Sequence, residues 1–378
     1  MSTVAVVGCP DYDEARVAAA VDEALALLGG AERFARPGER LLLKPNLLAG
    51  AAPEKAVTTH PAVFKAVARR LAGCGATLAY GDSPGFGRPE SAARRAGLGK
   101  VAEELGIPFA DFVSGKTISF PEGRFIKQFT IAQGVLDADA VVSLPKLKTH
   151  ALTRVTGAIK NQFGCITGLL KGEFHARLPD LEPFARMLVD LNRFVRPRLY
   201  VMDAVVAMEG NGPRGGTPRP VGVLMVSEDP VALDATACRL VNLDPQLVPT
   251  IRAGVEMGLG ACNDIELVGA PIERFTVRDF KVDRRRTGAK GTIPRIVSRI
   301  MRETVVPRPV INTAVCTRCG TCVKVCPLTP KAVDFTAGQD VPPRHDYRRC
   351  IRCYCCQEYC PDGAITVHTP LLGRVIHG

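Results

Sequence analysis

The chain has 378 residues, 46% of them hydrophobic and 23% charged, with a formal net charge of +11. That length suits one large domain or two or three smaller ones. The opening MSTVAVVGCPDYDE lacks the basic region and long apolar core of a secretory signal. No uncharged apolar stretch reaches the ~20 residues of a bilayer span, so a cytoplasmic protein with no membrane span is expected. Six Tyr, 15 Phe and no Trp leave few rings to stack on bases, and no nucleic-acid motif occurs. The positive charge points instead to an acidic protein partner or an anionic small molecule.

In chain order, TVAVVG (3–8), RLLLK (40–44), TLAYG (77–81), ADAVVSL (138–144), RLYVMD (198–203) and VGVLMV (221–226) read as buried strands. Helical patterns follow several of them, over 13–28, 61–72, 89–105 and 230–243. The last three open with Pro61, Pro89 and Pro230, suited to a first helical turn that needs no amide donor. The alternation predicts an α/β domain with a mostly parallel sheet over 1–280. Residues 281–310 form a basic linker with a short amphipathic helix over 294–303. Ile296, Val297, Ile300 and Met301 share its apolar face, which would pack the following segment onto the large domain or meet a membrane surface or acidic partner.

Ligands in parallel sheets bind beyond the carboxyl ends of the strands. The residues found there are Lys44 and Asn46, Asp82 and Ser83, Lys146, Lys148 and His150, then Asp203 with Glu209, and Ser227 to Asp229. Singly each is compatible with a turn or cap; Asp229 before Pro230 is a good cap. Together they describe a polar crevice. Thr58, Thr59 and His60 precede a helix start, where an anionic oxygen is favoured, although His60 also suits a structural cap. Lys160 and Asn161 return later, His175 follows Lys171, and the Gly-rich EGNGPRGGTP offers backbone amides. The competing reading of the lysines is a solvated basic face. His150, among cations, stays neutral and available for acid–base work. Asp234, in an apolar helical stretch, is either a buried hydrogen-bonded carboxylate or a cation ligand.

Fourteen cysteines are present, nine of them between Cys316 and Cys360. CTRCGTCVKVCP and CIRCYCCQEYCP both read C-x2-C-x2-C-x3-C-P, the bacterial ferredoxin spacing for [4Fe–4S] clusters. Zinc uses four ligands in two pairs and does not explain two quartets that each end in Cys-Pro. The crossed assignment puts Cys316, Cys319, Cys322 and Cys360 on one cluster and Cys350, Cys353, Cys356 and Cys326 on the other. Cys355 is a spare thiol. Residues 311–368 resemble a two-cluster bacterial ferredoxin, including a short strand after the last cysteine; 369–378 are a tail. Two oxidised cubanes with their thiolates, about −2 each, would bring the holoprotein near +7.

LLLKPN, TTHP, GDSPG, LPKLKTH, GAIKNQFG, MDAVVAMEGNGP and EDPVALDA occur in this order. The series, about 44–235, resembles the family called domain of unknown function 362, whose members are often labelled iron–sulfur centre proteins. The resemblance implies an α/β domain with a C-terminal ferredoxin-type domain, and little about the reaction. No nicotinamide fingerprint or Walker A motif appears, and a flavin or additional metal stays open.

Three functional readings follow. In the first, a ferredoxin-fused oxidoreductase passes low-potential electrons to an anionic small molecule. Lys44, Lys146, Lys148 and Lys160 hold it, with His150 as proton donor; Lys148, His150 and Asp203 form the candidate catalytic set. Asn46, Thr59, His60, Asp82, Asn161 and Glu209 complete the expected binding site. In the second, the large domain docks an acidic redox partner protein steered by Arg284, Arg285 and Arg286. In the third, the clusters are structural or serve metallocofactor maturation. The oligomeric state is not readable from the chain.

Overall fold

The computed structural model describes residues 1–168, 170–285 and 304–372. The helix expected over 294–303, and Arg286, lie outside the described residues. The chain begins with β1 (Ser2–Gly8), α1 (Glu14–Leu27), β2 (Arg40–Pro45), α2 (Pro61–Ala72) and β3 (Thr77–Tyr80). Next come α3 (Pro89–Arg95), α4 (Leu98–Leu105), a separate hairpin of β4 (Gly115–Ser119) and β5 (Gln128–Ala132), and the short α5 (Gln133–Leu136). β6 (Ala140–Leu144) is parted from β7 (Lys146–His150) by Pro145 alone; β8 (Arg154–Thr156), α6 (Ala158–Asn161), α7 (Leu170–Arg177) and α8 (Leu181–Val195) follow. The α/β part ends with β9 (Leu199–Glu209), β10 (Thr217–Ser227), α9 (Pro230–Leu240), α10 (Pro249–Glu256) and β11 (Ile265–Gly269).

Among the described residues the main sheet has nine strands, with the order β11-β1-β10-β9-β6-β2-β3 and the pair β7–β8 joined at β9. β1–β11, β9–β6, β6–β2, β2–β3 and β7–β9 are parallel, whereas β10 runs antiparallel to both neighbours. The near-continuous apolar strands are explained by burial on both faces. Leu42, Met202 and Met225 point into one core with α8 and α9, while Leu41, Leu43, Val142 and Val201 point into the other with α1, α2 and α4. The helix expected over 89–105 is two helices. Gly97 between them takes φ +77°, and a Cβ there would press on the Pro61 ring.

The C-terminal part pairs β12 (Arg308–Ile311) with β15 (Ile365–His368) antiparallel. Between them lie α11 (Thr321–Val325), the two-residue pair β13 (Val333–Asp334) and β14 (Arg344–His345), and α12 (Cys355–Glu358). This is a small α+β, ferredoxin-like unit. It docks on the loop after β9. The Gln357 amide nitrogen reaches the Asn211 carbonyl at 3.1 Å and the Gly212 carbonyl at 3.0 Å. Arg214 donates to the Tyr359 carbonyl at 2.9 Å, and Asn211 to the Ile365 carbonyl at 3.0 Å. The Gly-rich EGNGPRGG segment therefore serves as a dock for the second unit, not as a cradle of free amides.

Candidate functional site

The parallel strands β2, β3 and β6 bring LLLKPN, GDSPG and LPKLKTH to one edge. Lys44 ends up fully buried and pairs with Asp82 at 2.8 Å. The second Asp82 oxygen accepts from the Leu47 amide at 2.8 Å. Gly164 is required beside this pair, because a Cβ there would overlap Asp82 Oδ1 and crowd Lys44 Nζ. Asn46 and Asn161 link the strand ends. Asn46 Nδ2 donates to Asn161 Oδ1 at 3.1 Å, and Asn161 Nδ2 to Ser143 Oγ at 3.0 Å. Thr59 is buried behind them, donating to the Leu144 carbonyl at 2.6 Å and accepting from the Asn46 amide at 2.9 Å.

Lys148 lies in the same layer, donating to Asn46 Oδ1 at 2.7 Å and the Val57 carbonyl at 2.6 Å. Burial, reinforced by Lys160, pushes its ammonium down to about 7 against the pull of Glu358 and Asp82. Lys171 reaches the Ser83 carbonyl at 2.6 Å, and burial likewise brings it to about 7. Lys148, Lys160, Lys171, His150, Asn46 and Asp82 line one cavity, which Glu358 and Tyr359 of the C-terminal unit close. Its volume is about 40 Å³, room for a few waters or a small anion in this closed arrangement.

Three polar groups line this cavity without a hydrogen-bond partner among the described residues. His150 Nδ1 accepts from the Leu152 and Thr153 amides at 3.0 and 3.4 Å, which leaves the ring proton on Nε2. That Nε2 makes no hydrogen bond, and the nearest Glu358 oxygen is 3.6 Å away. Thr156 Oγ1 is also unpartnered. Lys160, 8% exposed, lies 5.6 Å from the Phe163 ring centre and makes no hydrogen bond or ion pair with a described residue. Burial, and then Lys160, bring His150 down to about 4, so its imidazole is neutral near pH 7. Burial raises the Glu358 carboxyl, but Lys160, His150 and His175 more than reverse this, and it stays ionised. His175 stacks on Phe184 with ring centres 4.5 Å apart, and burial pushes it down to about 3.

Several expected residues gather elsewhere. Lys146 pairs with Asp203 at 2.8 Å and donates to the Tyr12 hydroxyl at 2.7 Å; that hydroxyl donates to the other Asp203 oxygen at 2.8 Å. The His60 amide also donates to Asp203, at 2.9 Å. The His60 ring accepts from the Ala62 amide at 3.2 Å as the cap of α2 and stacks 3.5 Å from Tyr12. This cluster is internally satisfied and contributes nothing to the cavity wall. Glu209 accepts from the Lys281 amide at 3.0 Å, also outside the cavity. Asp234 accepts from the Ala158 and Ile159 amides at 2.6 and 3.1 Å, a buried carboxylate capping α6. Of the cavity residues, Thr156, Glu358 and Tyr359 carry no sequence signal that reveals their role. The one indirect trace is Gly85 in GDSPG: a Cβ there would overlap the Tyr359 hydroxyl.

The cysteine loops are built alike. Arg318 and Gly320 in the first have φ of 60° and 71°, and Arg352 and Tyr354 in the second both have 62°. Such left-handed residues turn backbone amides inward to form an anion-binding concavity. Cys316, Cys319, Cys322 and Cys360 line one cavity with Ile311, Pro343 and Ile365, so the residues fit a cage held by four thiolates. Cys326, Cys350 and Cys356 share the small buried core. Cys353 and the spare Cys355 pack with Leu48, Ala49 and Tyr359 at the junction with the large domain.

These features define an iron–sulfur protein in which a cluster-binding unit closes over a cationic α/β site. A 4Fe-4S dicluster domain model matches residues 308–361, which gives the chain electron-transfer capacity. The family model called Domain of unknown function (DUF362) matches residues 41–239, and the chain belongs to that family. It is 36% identical over 260 residues to a thylakoid-associated protein of Synechocystis, covering 68% of this chain and 80% of that protein. Among solved structures, the lactate racemase apoprotein from Thermoanaerobacterium thermosaccharolyticum is similar with a TM-score of 0.40 at 13% identity, over 63% of this chain and 56% of that one. A Thermotoga maritima protein gives a TM-score of 0.38 at 14% identity, over 62% and 60%. The chain thus spans less than two thirds of either structure. No helix among the described residues is long and apolar enough to cross a membrane.

Proposed function

We propose that the protein is a ferredoxin-fused oxidoreductase that delivers low-potential electrons to a small anion bound between its two units. Two [4Fe–4S] clusters, held by the two crossed cysteine quartets, would supply one electron each. The observation that carries the reading is Glu358. It lies between Cys356 and Cys360 in the chain and forms part of the cavity wall, facing His150 at 3.6 Å.

Within this reading, Lys160, Thr156 and the His150 Nε2–H group hold and orient the anion. His150 has Nδ1 committed to backbone amides, which suits it to donating a hydrogen bond better than to releasing a proton. Lys148 and Lys171, both brought to about 7 by burial, have the acidity for proton delivery near neutral pH. A two-electron reduction would then take one electron from each cluster and two protons, one from each of these lysines. Lys44 and Asp82 brace the floor; the Lys146–Asp203–Tyr12 cluster stiffens the strand behind it.

The test uses the full chain, reconstituted and reduced anaerobically with dithionite that is then removed. Small carboxylates and phosphate esters are added and cluster absorbance is followed. Reoxidation accelerated by at least one such anion, and slowed at least tenfold in Lys160→Gln, supports the reading. If no anion accelerates reoxidation and none binds, the reading is overturned.

A further inference from the structure

The two cysteine loops share a backbone and differ in their surroundings. Each places an arginine immediately before its second cysteine. Arg318 is exposed and donates to the Asp340 carbonyl at 3.1 Å. Arg352 is 5% exposed, and its Nε, Nη1 and Nη2 find no oxygen or nitrogen acceptor among the described residues. Its guanidinium sits 5.0 Å from the Tyr347 ring centre, and Arg308 sits 4.6 Å from the same ring with a buried, unpartnered Nε. A buried guanidinium without an acceptor is strongly disfavoured unless something negative lies close by. The group that this guanidinium faces is the Cys350 sulfur.

Further donors converge on the same ligand set. His345 Nε2 lies 3.4 Å from Cys356 Sγ, and the Ala332 amide donates to Cys326 Sγ at 3.4 Å. The other quartet is treated differently. Cys319 is exposed, and the carboxylate-bearing Asp362 lines that cavity. One ligand set is thus bracketed by buried positive charge with no oxygen acceptor, the other by water, an acidic residue and the half-buried Arg214, whose guanidinium already donates to the Tyr359 carbonyl at 2.9 Å.

We infer that Arg352, seconded by Arg308, gives the cluster held by Cys326, Cys350, Cys353 and Cys356 the higher reduction potential. This rests on the two-cluster reading above. Added negative charge is stabilised by nearby cations and N–H···S bonds. Burial alone acts in the opposite sense, but the low dielectric that disfavours the extra charge also strengthens the field of an unpaired guanidinium. A one-electron donor, dithionite in the test, would first load this inner cluster. An electron arriving at the Cys319 side would pass inward, oxidising the outer cluster and reducing the inner one with no proton moved. Cys353 of the inner set packs with Leu48, which lines the cationic cavity. Electrons would therefore collect beside the cavity.

The experiment is a potentiometric titration followed by electron paramagnetic resonance on the reconstituted full chain, for wild type, R352Q, R352K and R318Q. The expected result is two one-electron couples differing by at least tenfold in electron occupancy, about 59 mV. R352Q should lower the upper couple toward the lower one and leave the lower in place. R352K should retain the separation, and R318Q should change neither couple. Coincident couples in wild type, or an R352Q variant that moves both or neither, overturns the inference. Should R352Q fail to assemble, the wild-type separation still decides. The outcome does not depend on any small molecule being turned over, whereas a chain holding only one cluster would sink the two-cluster reading itself.

Discussion

His150 and Glu358 face each other across 3.6 Å, one from the end of a strand in the large unit, the other from a helix between cluster-binding cysteines. The separation exceeds a good hydrogen bond, and both side chains are almost fully buried. The gap opens into the cavity that also holds Lys148, Lys160 and Lys171. Glu358 is thus the anion that the protein itself presents to a cationic pocket.

Replacing Glu358 by Gln should remove that competing charge. Binding of a small anion such as phosphate or acetate is expected to tighten about tenfold, about 1.4 kcal/mol. Anaerobic calorimetry on wild type and variant measures it. Unchanged or weaker affinity would count against an anionic occupant.

Lys160→Gln should act in the opposite direction. Its ammonium is the chief charge that offsets the burial of the Glu358 carboxylate, so stability should fall by about 1–3 kcal/mol. Anion affinity should fall at least tenfold. A large loss of stability with unchanged binding would assign Lys160 to the framework instead.

Asp82→Asn breaks a buried pair with Lys44 and leaves the ammonium without its charge partner. Such changes cost about 3–5 kcal/mol. Anaerobic urea unfolding should show a lower midpoint with an unchanged slope; a shift below about 1 kcal/mol would mean that water replaces the carboxylate.

Acid should destabilise the fold well before the carboxylates titrate. Burial lowers His60 and His150 to about 4 and His175 to about 3. Near their ordinary value of 6.5 the unfolded chain takes up protons that the folded chain refuses. Stability is therefore complete above pH 6.5 and falls as pH drops from there toward 4, on the order of 1–3 kcal/mol per histidine. His175→Phe should flatten the slope in thermal unfolding scans across this window. A slope identical to wild type would show that His175 is protonated in the folded state.

Cys355→Ser should leave iron and sulfide content unchanged, because the spare thiol packs at the domain junction outside the predicted quartets. Cys353→Ser should lower both. Equal losses from the two variants would indicate that the second loop uses a different register.

Reading from residues alone reaches furthest where a property is local. The C-x2-C-x2-C-x3-C-P spacing concerns loops a few residues long, and Cys316, Cys319, Cys322 and Cys360 line one cavity. The alternation of apolar runs and helices follows from burial of a sheet on both faces, and Pro61, Pro89 and Pro230 each open a helix. The break at Gly97 was hidden, because only contact with Pro61 shows why a single helix cannot run through it.

The polar residues were legible as strand-end groups, but neither their division between the cavity and the separate Lys146–Asp203–Tyr12 cluster nor their partners were. Lys146 and Lys148 are two positions apart on one strand, yet Lys146 is tied to Asp203 and Tyr12 while Lys148 reaches Asn46. Which carboxylate or amide meets each ammonium depends on strand order and on the shift in β7–β9 pairing between them. Neither leaves a mark in local composition. Glu358 is the extreme case: it becomes a wall of the cavity because Gln357, Tyr359 and Ile365 dock on Asn211 to Arg214, well over a hundred residues earlier in the chain. Spacing dictates what a short loop can ligate; only the packing of one unit against another decides what a buried charge will face.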